Sequence, residues 1–256
     1  MGQLDQKVAI ITGSDSGIGR AIAIQFASEG ATVVINYAHA KDKAEEVLQT
    51  IEKNHGKALV IQADVSQYQE VTNLIQQTVE HFNRLDIMVN NAGMEIHAPF
   101  LDETEHNFDR VLGVDLKGAF FGAQLAAREM VKRKTAGRII NISSVHEDLP
   151  MPGNVPYCCA KGGMRMLTCT ICLELAPYNI TVNNIGPGAV HTPIDRDVEA
   201  DPEKMAALLK EIPLHRMAQP DEIAGLALYL ASDAATYVTG VTYFIDGGLM
   251  RNTGGL

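Results

Sequence analysis

The sequence has no tryptophan, and only 5% of its 256 residues are aromatic. Basic residues are also few, because 21 Lys and Arg stand against 31 Asp and Glu, a formal net charge of -10. A nucleic acid or an anionic membrane would require clustered Lys and Arg, so this balance argues against either partner. No run approaches the roughly 18 apolar residues of a membrane-spanning helix, and the N-terminus has no apolar signal core. These absences predict a cytosolic protein.

Cysteine is scarce as well. The four cysteines all fall in one predicted helix, 156–175, and are Cys158, Cys159, Cys169 and Cys172. On a helix that rises about 1.5 Å per residue, Cys158 and Cys169 lie roughly 16 Å apart, too far for the four thiols to surround one zinc ion. Small, soft side chains of this kind pack well in a reducing compartment. The cysteines therefore predict no metal site.

What the chain does contain is a regular alternation of short apolar runs with helical patterns, without a linker or a repeat. Repeated βα units require a parallel sheet with helices on both faces, and ligands bind such sheets at the carboxyl ends of the strands. We therefore expect one α/β domain over residues 1–256, a Rossmann-type, doubly wound parallel sheet of about seven strands. The predicted strands are 7–12, 31–37, 58–62, 85–90, 138–143, 181–185 and 242–245. The predicted helices are 21–27, 41–54, 67–82, 108–132, 156–175 and 221–231.

A glycine-rich turn, Gly13-Ser14-Asp15-Ser16-Gly17-Ile18-Gly19, separates the first predicted strand from the first helix. Glycines let the backbone approach a phosphate closely, and the helix N-terminus offers free N–H groups and the positive end of its dipole. A tight turn without a ligand would use the same glycines. The order of strand, turn and helix favours a dinucleotide site.

The end of the second strand is where the adenosine ribose of a dinucleotide would lie, and it reads Asn36-Tyr37-Ala38-His39. An acidic residue there would select NAD, and an arginine would hold the extra phosphate of NADP. The sequence has neither. Both NAD and NADP are therefore open as cofactors, and dual use fits these residues.

Tyr157 and Lys161 are four residues apart in a predicted helix, so their side chains lie one turn apart on the same face. A nearby ammonium group favours the phenolate and lowers the pKa of a tyrosine from its ordinary value of about 10. Such a tyrosine can exchange a proton with a substrate. The pair follows Ser144 by thirteen residues.

Together these motifs resemble those of the short-chain dehydrogenase/reductase family over essentially the whole chain. The motifs are Thr12-Gly13-x-x-x-Gly17-Ile18-Gly19, Asn90-Asn91-Ala92-Gly93, Ser144, Tyr157-x-x-x-Lys161 and Pro187-Gly188. More narrowly, residues 94–95, 143–147, 183–188, 192–194 and 237–240 are similar to segments of bacterial glucose 1-dehydrogenases.

The resemblance implies an oxidoreductase that transfers a hydride between the C1 hydroxyl of an aldose, such as glucose, and a nicotinamide. In that reaction Tyr157 would be the acid/base, Lys161 would lower its pKa and hold the nicotinamide ribose, and Ser144 would hydrogen-bond the reacting oxygen. The expected cofactor-binding residues, besides Tyr157 and Lys161, are Gly13, Ser16, Gly17, Ile18, Gly19, Asp64, Val65, Asn91, Gly93, Val190 and Thr192. The family resemblance also implies a homotetramer, with the helices after strands four and five between subunits.

One position departs from the family pattern, because Asp115 stands where a fourth catalytic residue is usually an asparagine. An ionised aspartate cannot donate a hydrogen bond, and it would place a negative charge near Lys161. Asp115 is nevertheless expected in the catalytic set.

The substrate residues expected at the crevice are Glu95, His146 and Asn154, whose polar side chains suit a polyhydroxylated small molecule. Residues 193–215 resemble a mobile lid over the substrate. Two alternatives stay open at this point: a carbonyl or 3-oxoacyl reductase of the same family, and a non-catalytic nucleotide-binding protein.

Overall fold

The computed structural model describes residues 2–252, apart from the side chains of residues 195 and 197. Seven strands form one sheet: β1 Val8–Ile11, β2 Thr32–Tyr37, β3 Lys57–Gln62, β4 Ile87–Asn90, β5 Arg138–Ile142, β6 Thr181–Pro187 and β7 Thr242–Ile245. The main helices are α1 Gly17–Ser28, α2 Lys41–Lys53, α3 Tyr68–Phe82, α4 Glu105–Leu112, α5 Ala119–Arg133, α6 Val155–Leu175, α7 Arg196–Glu199, α8 Pro202–Glu211 and α9 Pro220–Ala231.

The strand order is β3-β2-β1-β4-β5-β6-β7, and every neighbouring pair is parallel. The predicted doubly wound parallel sheet is therefore confirmed. Its order reverses between β1 and β4, because the chain builds outward from β1 to β3 and then restarts on the other side of β1. A reversal of this kind opens a crevice at the carboxyl ends of the strands.

Two apolar layers cover the sheet. Helices α1, α2 and α9 pack on one face around Phe26, which is fully buried. Helices α3, α5 and α6 pack on the other face, where Met88 and Met130 are fully buried. Within β4, Ile87 and Val89 face the first layer and Met88 faces the second, as the two-residue period of a strand requires. Both faces of the central strands are covered, which explains why they read as continuous apolar runs.

The helix predicted over 108–132 requires a correction. The helical run begins earlier, at Glu105, and a π-helical segment, Gly113–Gly118, separates α4 from α5. A π segment accommodates an extra residue in a helix and is frequent at functional sites. The helical run is continuous on both sides of this segment. Hydrophobic periodicity therefore could not distinguish the π turn from the rest of the helix.

The other predicted elements agree with the structure to within a few residues at their ends. Within residues 2–252, no helix combines the length and apolar character required to cross a membrane. The segment predicted as a lid forms a short 3-10 turn, Pro193–Asp195, followed by α7 and α8. Asp201 caps α8, since its carboxylate accepts hydrogen bonds from the backbone N–H groups of Glu203 and Lys204.

Candidate active site

A cavity of about 1650 Å³ opens at the carboxyl ends of the strands. Ligand pockets usually measure about 300 to 1,000 Å³, so this one has room for a dinucleotide together with a small substrate. Of the site residues predicted from the sequence, all except Gly19 and Asn154 line it. The structure therefore brings the predicted residues of several distant segments into one crevice.

The glycine turn forms a close-fitting floor on one side of the cavity. Gly13 and Gly17 have positive φ angles of +58° and +54°, which L side chains rarely adopt. A Cβ at Gly19 would lie 2.4 Å from Asn91 Nδ2 and 2.5 Å from the Gly13 carbonyl oxygen. Gly19 lies beneath the turn rather than along the cavity, at a position where no side chain fits.

The turn is locked to the loop after β4. The Asn91 amide donates to the carbonyl oxygens of Thr12 at 2.8 Å and Gly13 at 3.0 Å. In return, Thr12 Oγ1 accepts hydrogen bonds from the backbone N–H groups of Asn91 and Ala92. Asn91 therefore supports the shape of the glycine turn as well as lining the cavity.

The start of α1 fits a phosphate group. Ser16 is the N-cap residue, yet its side chain does not cap the helix, and the first turn carries no acidic residue. No carboxylate of the first turn therefore offsets the N-terminal N–H groups and the dipole of α1. A glycine cradle beside such a helix end fits the pyrophosphate of NAD or NADP.

The end of β2 does not offer a ribose ligand from Asn36. Its Oδ1 accepts from Gly13 N at 3.1 Å, and its Nδ2 donates to backbone carbonyls, including that of Ala63 at 3.0 Å. Asn36 is buried and fully engaged in joining β2 to the glycine turn. Asp64 and Val65 follow β3 at the same edge, and Asp64 Oδ1 accepts a hydrogen bond from Ser66 N at 2.9 Å.

Ser144, Tyr157 and Lys161 meet deeper in the crevice. The Ser144 hydroxyl accepts from His146 N at 3.1 Å and lies near enough to the Tyr157 phenol to lower its pKa. Lys161 Nζ lies 5.2 Å from the centroid of the Tyr157 ring and donates to the Ile142 carbonyl oxygen at 3.1 Å. Helix α6 thus presents the tyrosine and the lysine to the end of β5, as the four-residue spacing predicted.

Asp115 reaches the same place from the π-helical segment. Its Oδ2 forms an ion pair with Lys161 Nζ at 3.1 Å, and its Oδ1 accepts from Met94 N at 2.8 Å. The aspartate side chain is fully buried and that of the lysine nearly so. Burial raises the pKa of Asp115 above its ordinary value, although Lys161 and the Met94 amide each act to lower it. The pKa of Lys161 is raised as well, because Asp115 and its other partners outweigh the opposing effect of burial.

The pKa of Tyr157 runs against the sequence-based expectation. Burial raises it above its ordinary value of 10.0, and the negative charges of Asp115 and Glu95 act in the same direction. Lys161 lowers it, as predicted, and Ser144 lowers it as well, but together they do not prevail. Sequence spacing identified the cation beside the phenol and could not weigh it against desolvation and two carboxylates.

Glu95 and His146 line the cavity on the side of Tyr157. The His146 ring lies 6.3 Å from the Tyr157 ring, centroid to centroid. Asn154 does not line the cavity and is only 3% exposed, because it lies beneath the surface at the N-terminus of α6. Its expected contact with substrate therefore receives no support from its position.

Val190 and Thr192 lie where β6 leads into the predicted lid. Val190 is buried and forms an isolated parallel bridge with Ala218. Thr192 lies over the glycine turn, since a Cβ at Gly17 would be 3.5 Å from its side chain. Beyond it, Val198 and Leu208 line the cavity from the segment 193–215.

A buried polar network behind Ser144 was not predicted. Asn90, Asn141 and Asn184 occupy paired positions on β4, β5 and β6. Asn90 Nδ2 donates to Asn141 Oδ1 at 2.8 Å, and Asn141 Nδ2 to Asn184 Oδ1 at 3.3 Å. Thr168 joins them from α6. We call Asn90, Asn141 and Asn184 the amide ladder. Its signal in the sequence is an asparagine inside each of three apolar strands.

Fold and site together define a dinucleotide-dependent oxidoreductase. The family model described as enoyl-(acyl carrier protein) reductase matches residues 13–250. The chain belongs to the short-chain dehydrogenase/reductase family. It is therefore an NAD(P)-dependent enzyme that acts on a small molecule.

Similar proteins differ in their substrates. The chain is 41% identical to glucose 1-dehydrogenase 2 of Bacillus subtilis, over 96% of this chain and 95% of that one. It is 43% identical to 3beta-hydroxysteroid dehydrogenase 1 of Eggerthella lenta, over 96% and 94%. A crystal structure of gluconate 5-dehydrogenase from Burkholderia cenocepacia, in complex with NADP and tartrate, matches with a TM-score of 0.92 and 37% identity, over 97% of this chain and 96% of that one.

Proposed function

We propose that the protein oxidises the C1 hydroxyl of an aldose such as glucose to the lactone, with reduction of NAD or NADP. The observation that carries this proposal is the His146 ring, a hydrogen-bond acceptor on the cavity wall beside Tyr157, which Glu95 also lines. A polyhydroxylated substrate can donate a hydrogen bond to the His146 ring, whereas an apolar substrate would desolvate that acceptor without a compensating hydrogen bond. Similarity to a glucose 1-dehydrogenase supports the same substrate class.

The His146 ring is an acceptor because of its tautomer. Its Nδ1 lies 3.1 Å from the Leu149 carbonyl oxygen, which can only accept, so Nδ1 carries the proton. Burial lowers the pKa of His146 below its ordinary value of 6.5, so the ring is neutral at pH 7. Nε2 then offers a lone pair and no proton to a ligand.

A bound nicotinamide would supply the acceptor for the hydride that leaves the substrate carbon. We assign Tyr157 as the base that takes the hydroxyl proton and Ser144 as the group that hydrogen-bonds the reacting oxygen. Lys161 favours the phenolate by its charge and is held in place by Asp115 and the Ile142 carbonyl oxygen. Asp115 is thus a counter-ion of the lysine.

The cofactor would lie along the floor of the crevice. We propose that the glycine turn and the start of α1 hold its pyrophosphate, through Gly13, Ser16, Gly17, Ile18 and Gly19. Asp64 and Val65 would contact the adenine, Asn91 and Gly93 the ribose, and Val190 and Thr192 the carboxamide region.

The outer wall of the cavity supports two further proposals. Segment 193–215 would close over the substrate, because Val198 and Leu208 already line the cavity from it. A homotetramer in the cytoplasm is also proposed, with α5 and α6 between subunits. In support, Met166 and Leu173 on α6 are 62% and 76% exposed.

A carbonyl reductase is the second candidate, and the raised pKa of Tyr157 favours it. A phenol that stays protonated at neutral pH can donate its proton to a carbonyl oxygen at once, whereas an oxidation requires the phenolate. The match to a family described as a reductase agrees with that direction.

The test measures reduced-nicotinamide absorbance with NAD and NADP separately, against glucose, other aldoses, simple secondary alcohols and, in reverse, ketones. Aldose turnover that vanishes in Tyr157→Phe would support the proposal. His146→Asn keeps a donor toward Leu149 and loses the Nε2 acceptor, so KM for the aldose should rise about three- to tenfold while simple alcohols are unaffected. Preference for ketones would establish the reductase instead, and cofactor binding without turnover of any substrate would indicate a non-catalytic protein.

A further inference from the structure

Glu147 is a buried carboxylate next to the site, to which the reaction as proposed assigns no task. Its side chain is 0% exposed. It ends the short 3-10 turn Val145–Glu147, which follows Ser144 directly. A buried carboxylate is expensive to desolvate, and a retained one usually has a specific partner or a function.

The hydrogen bonds of Glu147 are concentrated on one oxygen. Its Oε2 accepts from Ser143 Oγ at 2.5 Å and from Asn184 Nδ2 at 3.3 Å. Its Oε1 has no hydrogen-bond partner among the described residues. The nearest cation to Oε1 is Arg165, whose Nε is 4.0 Å away on a half-exposed side chain that also pairs with Asp148.

These contacts are not those of an optimised ion pair. The nearest cation, Arg165, is distant and partly solvated, and Lys161, which also attracts Glu147, is paired with Asp115. A buried charge in such surroundings gains less from Coulomb attraction than it loses in desolvation. Fold stability alone therefore does not explain an acidic side chain at residue 147. What the carboxylate does is connect three segments, namely the end of β5, the turn after it, and β6.

The connection fixes the turn that carries the reacting groups. Ser143 precedes Ser144, and its N–H donates to the Ile185 carbonyl oxygen at 2.7 Å. Ser144 Oγ accepts from His146 N within the turn. Glu147 closes the turn from beneath, by bonding its first residue and tying it to Asn184 at the edge of the amide ladder.

We propose that Glu147 is a positioning residue, which holds the 143–147 turn so that the Ser144 hydroxyl and the His146 ring face the substrate. This inference rests on the proposed roles of Ser144 and His146. The carboxylate also acts on Lys161, because its negative charge contributes to the raised pKa of that lysine.

The chain offers a matched control in Asp86. Asp86 is another buried carboxylate, 1% exposed, and it accepts from Val8 N and from Arg84 Nε at 2.8 Å each. It precedes β4, at the edge of the sheet opposite the crevice. Asp86→Asn therefore removes an equally buried charge without touching the 143–147 turn.

The experiment compares Glu147→Gln with Asp86→Asn in the full chain. We expect Glu147→Gln to lower kcat by about tenfold to a hundredfold, as misplacement of a reacting group does, with cofactor Kd unchanged. Ser143→Ala removes the donor of the same contact, so the double variant should lose less activity than the product of the two single losses. Asp86→Asn should lower Tm and leave kcat unchanged.

A second measurement is independent of turnover. In protein with labelled histidine, the ring resonances of His146 should shift in Glu147→Gln and stay in place in Asp86→Asn. Absence of turnover in the wild type would remove the proposed function, and the resonances would still decide the present inference. Unshifted His146 resonances in Glu147→Gln, a wild-type kcat, or multiplicative losses with Ser143→Ala would each overturn it.

Discussion

Replacement of Asp115 by asparagine isolates the effect of one buried charge on proton transfer. The side chain keeps its shape, and its Oδ1 can still accept from the Met94 amide. What disappears is a negative charge 3.1 Å from Lys161 Nζ, which also raises the pKa of Tyr157. We therefore expect the Tyr157–Lys161 pair to release its first proton at a lower pH in Asp115→Asn.

The size of the shift follows from two distances. Lys161 Nζ lies 3.1 Å from the Asp115 carboxylate and 5.2 Å from the centroid of the Tyr157 ring. The carboxylate is thus within about 8 Å of the ring, where a unit charge at an effective dielectric constant of about 20 is worth about 2 kcal/mol. This corresponds to a shift of about 1 to 2 pH units.

The assay is the pH dependence of kcat/KM for alcohol oxidation from about pH 6 to about pH 10, the range in which a phenol of perturbed pKa titrates. The rising limb should move to lower pH in Asp115→Asn, with the plateau retained. Breaking a buried ion pair costs about 3 to 5 kcal/mol of stability, so rates are compared where circular dichroism shows both proteins folded. The exposed Asp102→Asn serves as the control for a lost surface charge.

An unchanged or higher midpoint would refute the electrostatic reasoning. A uniform loss of rate at every pH, with cofactor affinity intact, would show that Asp115 has a role that an asparagine cannot fill.

Three other predictions concern pH and the cradle. Because burial raises the pKa of Tyr157, wild-type oxidation should accelerate up to about tenfold per pH unit above neutrality while reduction does not, and a flat oxidation profile would contradict this. Gly19→Ala places a Cβ 2.4 Å from an amide nitrogen and should weaken NADPH binding by about tenfold or more in a fluorescence titration, whereas Gly225→Ala, with nothing within 4 Å, should not. Arg216 lowers the pKa of Glu222 from 4.5 to about 2. This carboxylate therefore stabilises the fold above pH 4.5, and the stabilisation is lost as the pH falls through about 2. The Tm difference between wild type and Glu222→Gln should vanish over that pH range.

The sequence predicted the strands and most helices because their patterns are local. It also predicted the meeting of Ser144, Tyr157 and Lys161, since parallel strands bring distant residues to one edge. The π-helical segment could not be predicted, because hydrophobic periodicity does not distinguish a short π turn from the α-helix on either side of it.

The direction of the Tyr157 pKa shift could not be predicted from the sequence either. Lys161 beside Tyr157 could be read from spacing, but the opposing effects of burial, Asp115 and Glu95 depend on three-dimensional distances. The positioning role of Glu147 could not be predicted for a related reason. Nothing in the neighbouring sequence distinguishes this buried acid from the exposed Asp148 that follows it.

The amide ladder has a consequence for the register in which the central strands pair. Apolar strands covered on both faces, such as β4 and β5, have little in their hydrophobicity that prefers one register over the next. Asn90, Asn141 and Asn184 bond to one another only when the three strands are aligned as observed. A slip of one residue would turn an amide towards the opposite, apolar face and leave its partners unpaired. The three side chains therefore act as a lock on strand alignment, so that assembly of the sheet and assembly of the crevice are one event.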